Sequence, residues 1–241
     1  MYDLEHFTPS EMTRCGIAMR KFGADAQSME EIANSIVRYL YEELGNQQTG
    51  ERACALLRFY KTHAYGELPA AQRDFACGIL GGDAPPPTTK CLTLLATAGE
   101  RPEWNARQTS VGHQAIPLAS PERVTRMPMI SQLIEQFGIE VATLLAADPV
   151  TMVDLTQRTF NVFYVPNAVG SSSVPAQAEF VIPSGIRSVL GFGGVLPSSD
   201  LFAIILFSKV PISRDTAEMF KPLALNVKVA VLPFDGETIF A

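Results

Sequence analysis

Apolar residues at Met29, Ile32, Ile36, Val37, Leu40 and Leu44 recur with helical period, which predicts an amphipathic helix with one buried face. Ser28 and Glu31 stand at its start with capping-box spacing, and Gly45-Asn46 reads as its end. An earlier helix opens at Thr8-Pro9-Ser10-Glu11, carries Met12, Cys15, Ile17 and Met19 on an imperfect apolar side, and stops at Gly23. It reads as an added helix rather than part of the main core. The pattern then changes to strand composition at Cys54 to Tyr60 and again at Lys90 to Thr97. His113 to Leu118 reads as a short edge strand, and Asn161 to Val165 as another strand. Ile186 to Leu196 and Leu201 to Ser208, separated by Pro197-Ser198-Ser199-Asp200, form an expected antiparallel hairpin.

Shorter helices are expected over Ala70 to Leu80, Pro128 to Phe137 and Ile139 to Ala147. A last helix is capped by Ser213 and carries Met219, Phe220, Leu223 and Val227. Pro222 should kink it, because proline cannot bond back to the carbonyl of Glu218. Pro166 to Pro183 is a long excursion around the turn cluster Gly170-Ser171-Ser172-Ser173.

Gly81 to Pro87 is the most linker-like segment. Strand composition resumes at Lys90, and the block before it holds one convincing strand that would otherwise lack partners. A surface loop inside one domain is therefore preferred to a domain boundary. The resulting class is α+β, a central antiparallel or mixed sheet flanked by helices. Residues 54–60, 91–97, 186–196 and 201–208 are expected to share that sheet. The expected division is an N-terminal accessory helical segment over 1–25, one domain over 26–235, and a C-terminal tail or truncated linker over 236–241. Helices at both ends, lying together on one face, would offer a surface for a homodimer.

With 47% hydrophobic and 18% charged residues, the 241-residue chain has the make-up of a folded protein. Its 19 basic and 25 acidic residues give 19 − 25 = −6. No basic run offsets that charge, so no general nucleic-acid binding is expected, although a local anion pocket is compatible with it. Cys15, Cys54, Cys77 and Cys91 are widely spaced with no CxxC pair, which points to reduced thiols in a cytoplasmic protein. The start Met1-Tyr2-Asp3-Leu4-Glu5 lacks the basic residues of a secretory leader. The longest apolar stretches, such as Leu201 to Phe207, are too short to cross a bilayer, so no direct membrane insertion is expected.

Five segments carry a family resemblance. They are Arg58-Phe59-Tyr60-Lys61-Thr62-His63, Cys91 to Thr97, His113 to Leu118, Ile186-Arg187-Ser188-Val189-Leu190-Gly191-Phe192-Gly193-Gly194, and Leu201 to Ser208. Over roughly residues 26–235 the chain resembles a GAF-like sensory domain. More specifically, it resembles an N-terminal module of bacterial sensor histidine kinases and related signalling proteins. The resemblance implies a central sheet, a ligand pocket opposite a dimer face, and terminal helices that transmit a signal. Loop 97–128 and the excursion 160–185 would enclose such a pocket. It implies no particular ligand. Cys91 lies in an expected strand and is not matched to a bilin attachment site, and no nucleotide-binding GAF motif is matched residue by residue.

The candidate ligand-binding residues are Arg58, His63, Trp104, Arg107, His113 and Arg187. Neutral imidazoles at His63 and His113 suit hydrogen bonding to a ligand or structural bonding, and their spacing supplies no compact metal motif. Trp104 can cover an aromatic group while Arg107 binds an anion bidentately; the plainer alternative is a loop anchor with a solvent-facing arginine. Arg58 and Arg187 each flank an apolar strand, and either converge on a carboxylate or phosphate or make structural ion pairs. Gly191, Gly193 and Gly194 fit a bend in a sheet better than a phosphate loop, since no GxxxxGK[ST] motif is present. Asp148, Asp154, Glu179 and Asp200 lack a metal-binding sequence context. No metal or cofactor is assigned.

These readings lead to a non-catalytic sensing module that binds a small ligand and acts through its terminal helices on a histidine kinase or other effector. The alternative is a ligand-free dimerisation or docking module. A small hydrolase using His63 or His113 is a remote third reading, since no activated nucleophile accompanies either.

Overall fold

From the N-terminus, strand β1 (Tyr2–Asp3) leads into helices α1 (Pro9–Lys21) and α2 (Met29–Glu43) and then strand β2 (Leu44–Gly45). These come from a computed structural model that describes residues 1–110, 112–146, 160–236 and 238–240. Asp148, Asp154, the expected helix end at Ala147, and Glu237 and Ala241 of the expected tail lie outside the described residues. Thr8 caps α1 through a complete reciprocal box with Glu11. Ser28 accepts the Glu31 N–H at 3.2 Å, but the Glu31 carboxylate reaches one residue further back and accepts from the Gln27 N–H at 2.7 Å. Leu44-Gly45 does more than end the helix. It pairs in parallel with Tyr2-Asp3 and so ties the N-terminus to the end of α2.

The remaining strands are β3 (Cys54–Ala64), β4 (Lys90–Gly99), β5 (Ala115–Pro117), β6 (Phe160–Val165), β7 (Ser188–Val195) and β8 (Leu201–Ser208). They form one antiparallel sheet in the order β5-β4-β3-β8-β7-β6. The four segments expected to share a sheet do so, and Gly81 to Pro87 is a loop between α3 (Ala70–Ile79) and β4. His113 lies outside the edge strand, which begins at Ala115.

Alternation along β3 divides its side chains between two cores. Leu57 and Phe59 face the first core, where α1, α2 and the C-terminal helices lie. Leu56 and Tyr60 face the second, covered by loop 97–128, helices α4 (Pro121–Thr125), α5 (Pro128–Gln136) and α6 (Val141–Ala146), and the 160–185 excursion. A bulge in β4 preserves this division. Phe59 pairs with Ala96 and Tyr60 with Leu94, leaving Leu95 as the extra residue. Its parity shift lets both Thr97, opposite Arg58, and Leu92 and Leu94 share the second-core face.

The chain ends in α7 (Arg214–Glu218) and α8 (Phe220–Val231), broken at Met219. The break places Pro222 in the first turn of α8, where a missing N–H costs little. Cys15 and Met19 of α1 are fully buried in the first core, and Gly16 and Gly23 sit tightly against Asn226 and Ala230. The first helix is thus packed into the main core instead of standing outside it. Among the described residues, no helix is long and apolar enough to cross a membrane.

The late glycines serve close packing. A Cβ on Gly193 would lie 2.0 Å from the Phe202 carbonyl oxygen and 2.9 Å from the Ala203 Cα, both backbone atoms of the paired strand. Gly193→Ala should therefore lower stability by about 3 kcal/mol, as overpacking of a rigid core does. Gly78→Ala, in α3 with open space around the new methyl, should raise it by about 0.5–1 kcal/mol. Urea unfolding of both variants checks the pair of signs.

Candidate functional site

Arg58 projects from the middle of β3 onto the second-core face. Its row across the sheet runs from Thr97 on β4 through Ile205 on β8 to Gly191 on β7 and Phe163 on β6. Arg58 is only 7% exposed. Nη1 donates to the Tyr60 hydroxyl at 3.2 Å and Nη2 to the Ser110 hydroxyl at 3.1 Å, while Nε has no partner among the described residues. Among the described residues, no carboxylate lies within ion-pair distance of it. A buried charge normally has a counter-charge, because desolvating an ion costs several kcal/mol. Both hydroxyl contacts are longer than the 2.7–2.9 Å usual for charge-assisted bonds.

Ser110 and His113 come to this site on loop 99–114, which several ties hold in place. Asn105 Nδ2 donates to the Gly99 carbonyl at 2.9 Å, and the Gly99 N–H donates to Asn105 Oδ1 at 3.2 Å. Gln114 Nε2 donates to the Ser110 carbonyl at 2.7 Å. His113 has a left-handed backbone with φ of 57°. Surrounding protein atoms, and secondarily the positive charge of Arg58, hold its pKa below the ordinary histidine value. The neutral imidazole is therefore the ground form beside the buried cation.

The other candidates do not converge on Arg58. Trp104 is buried in the second core, with its ring edge-on to Phe180 at 5.5 Å and under the Arg101 guanidinium at 4.7 Å. It is a wall of that core, one row along the sheet from Arg58 beside Leu56 and Gly99. Arg107, three residues further on, turns to the opposite side. Its Nε and Nη2 donate to the Glu30 carboxylate at 2.5 and 2.8 Å, and its guanidinium lies 5.1 Å from the Phe240 ring centre. Trp104 and Arg107 therefore do not form one pocket edge. Arg187 is exposed and separate from buried Arg58, so the two do not meet on one anion in this structure.

His63 lies on the first-core side of β3, opposite Cys91 and stacked near Phe240 at 5.2 Å. It is 2% exposed, and neither ring nitrogen makes a hydrogen bond of normal geometry; the Lys61 backbone supplies only a weak polar contact. Burial, then the charge of Lys61, pushes its pKa down to about 3. Neighbouring Lys61 is neutralised by Asp200 at 2.6 Å, and Thr62 also donates to Asp200, at 3.0 Å. Burial works against ionisation of Asp200, but Lys61 and Lys90 outweigh it and hold the pKa below the usual carboxylate value. Cys15, Cys54 and Cys91 are pushed up to about 12, chiefly by burial, so each rests as the thiol. Among the described residues, no cluster of three or more metal-ligating side chains is present.

Two features escaped the sequence reading. Ser110 is an unremarkable serine in a polar loop, and nothing local announces that it meets Arg58. A shallow surface cleft of about 310 Å³ lies beside β6, lined by Gln136, Asn161, Tyr164, Arg214, Glu218 and Lys221. It contains charges of both signs, including the Lys221–Glu218 ion pair.

No protein-family model matches the chain, and no curated protein matches it. Among solved structures, it resembles the free methionine-R-sulfoxide reductase of Neisseria meningitidis in complex with its substrate. That likeness has a TM-score of 0.52 and 10% identity, covering 96% of each chain. It also resembles the Staphylococcus aureus reductase with substrate, at TM-score 0.49, 8% identity and coverage of 93% and 97%. The GAF domain of an Acinetobacter phosphoenolpyruvate-protein phosphotransferase follows at TM-score 0.46, 11% identity and coverage of 95% and 97%. The architecture is a six-stranded antiparallel sheet flanked by helices, the expected α+β class, and the likeness at TM-score 0.52 shows a shared fold. One expectation is overturned. The sequence reading made the chain non-catalytic, yet its structural likeness at TM-score 0.52 is to a reductase. In that reductase the fold carries catalysis, so a non-catalytic role does not follow from the fold.

The His63 environment sets a pH dependence. The unfolded chain takes up this proton near the ordinary value of 6.5, whereas the folded chain does so only near 3. This contribution to stability is complete above the upper value and is lost as pH falls towards the lower one. The slope is at most about 1.4 kcal/mol per pH unit. His63→Phe should therefore lose about 1–2 kcal/mol less stability than wild type between pH 6.5 and 5. Equal losses in urea unfolding would contradict the assignment.

Proposed function

We propose that the chain is a ligand-binding sensory module whose ligand sits on the second-core face of the sheet, at Arg58. The observation that carries this reading is the buried guanidinium with a free Nε and no ion-pair partner among the described residues. Occupancy would change the contacts of Ser110 and His113, and loop 99–114 would pass that change towards α2 through Arg107 and Glu30. A ligand shifts such an equilibrium only through different affinity for the two loop positions. The reading extends to an effector, a histidine kinase or other signalling protein, reached through the terminal helices. Leu225, Val229 and Leu232 are exposed at helical spacing along the C-terminal segment, and support a homodimer surface there.

Native mass spectrometry of freshly purified wild type should show a retained small molecule, lost on denaturation. Arg58→Gln, folded by circular dichroism, should retain at least tenfold less. Equal retention in both proteins would remove Arg58 from the site, and retention in neither would count against ligand binding.

A further inference from the structure

The ligand class follows from the hydrogen-bond accounting at Arg58. An arginine donates only, and each hydroxyl both accepts and donates one bond. Tyr60 and Ser110 accept from Arg58 with their oxygens. Their own hydroxyl protons have no acceptor among the described residues, and the Nε proton has none either. With the second protons of Nη1 and Nη2, the cluster is thus left with five unused donors among the described residues, around one uncompensated positive charge. The complementary group has several acceptor lone pairs, no protons to donate, and a negative charge.

We propose that Arg58, Tyr60 and Ser110 bind the carboxylate of a small monocarboxylic acid whose apolar remainder lies on the second core. This rests on the ligand-binding reading above. A carboxylate offers about four acceptor positions on two oxygens, enough for the Nε–H and both hydroxyl protons. Its single charge matches the single buried guanidinium, whereas a phosphate dianion would leave one buried charge unmatched. His113 supplies no second cation near neutral pH, because its pKa is held below the ordinary value. The adjoining wall is apolar: Leu56, Trp104 and Ile205 belong to the second core on the same face. Binding adds charge-assisted bonds to the carboxylate beside the arginine–hydroxyl contacts, and each hydroxyl turns its proton to the ligand. Arg107, already bidentate with Glu30, holds the loop and lies outside this site.

Isothermal titration calorimetry at pH 7.5 with hexanoate, its neutral isostere hexanamide, and inorganic phosphate tests this class. Hexanoate should bind wild type at least tenfold more tightly than hexanamide or phosphate. Arg58→Gln should lose at least tenfold, with Arg58→Lys between the two. Tyr60→Phe and Ser110→Ala should each weaken hexanoate about threefold, and they decide the matter if Arg58→Gln does not fold. Hexanamide binding as well as hexanoate would overturn the carboxylate assignment while leaving a ligand-binding face in place. Preference for phosphate would overturn the monocarboxylate class. No binding of any probe would overturn the proposal; if wild type also retains nothing from the cell, the ligand-binding reading falls with it.

Discussion

Strand β3 is buried on both faces, and this constraint decides where each of its polar side chains goes. Period-two alternation sends Arg58 to one core and Lys61 and His63 to the other. The two cations meet opposite electrostatic fates. Lys61 is 2% exposed and is matched by Asp200 at 2.6 Å. Arg58 is almost as buried, yet two neutral hydroxyls are its hydrogen-bond partners. The same strand therefore holds one cation whose charge is compensated and one whose charge is not, among the described residues.

The compensated side anchors the sheet. Asp200, at the β7–β8 turn, accepts from Lys61 and Thr62 on β3 and lies 3.4 Å from Lys90 Nζ on β4. The Thr62 hydroxyl oxygen also receives the Leu201 N–H at 2.9 Å, fixing the start of β8. Three strands are locked at one end in this way. With that end held and Gly193 pressed against the β8 backbone, the Arg58 row lies on a rigid platform. Arg107 ties to Glu30 on α2, and Ser110 ties to Arg58 on the sheet.

Local chemistry made much of the fold legible. Thr8, Ser28 and Ser213 each cap a helix because a hydroxyl satisfies an otherwise orphaned N–H. The late hairpin was readable from two apolar runs around a polar turn. The bulge at Leu95 was not, because an uninterrupted apolar run gives no parity signal when one residue is inserted. The site was only partly legible. Arg58 stood out as a charge in an apolar strand, but its missing partner is a tertiary fact. Trp104 and Arg107 are close in sequence yet diverge, because Glu30, 77 residues away, captures the arginine. The non-catalytic expectation failed for another reason: missing motifs show which familiar chemistries are not encoded, not that the fold is inert.

The central claim concerns one proton, the unpartnered Nε–H of Arg58, and NMR can observe it directly. In protein labelled with ¹⁵N-arginine, the Arg58 Nε–H signal is assigned by its loss in Arg58→Gln. The account predicts that this signal moves on addition of hexanoate, stays in place with hexanamide, and exchanges with water more slowly when the carboxylate is bound. A signal unmoved by saturating hexanoate, with exchange unchanged, would contradict it.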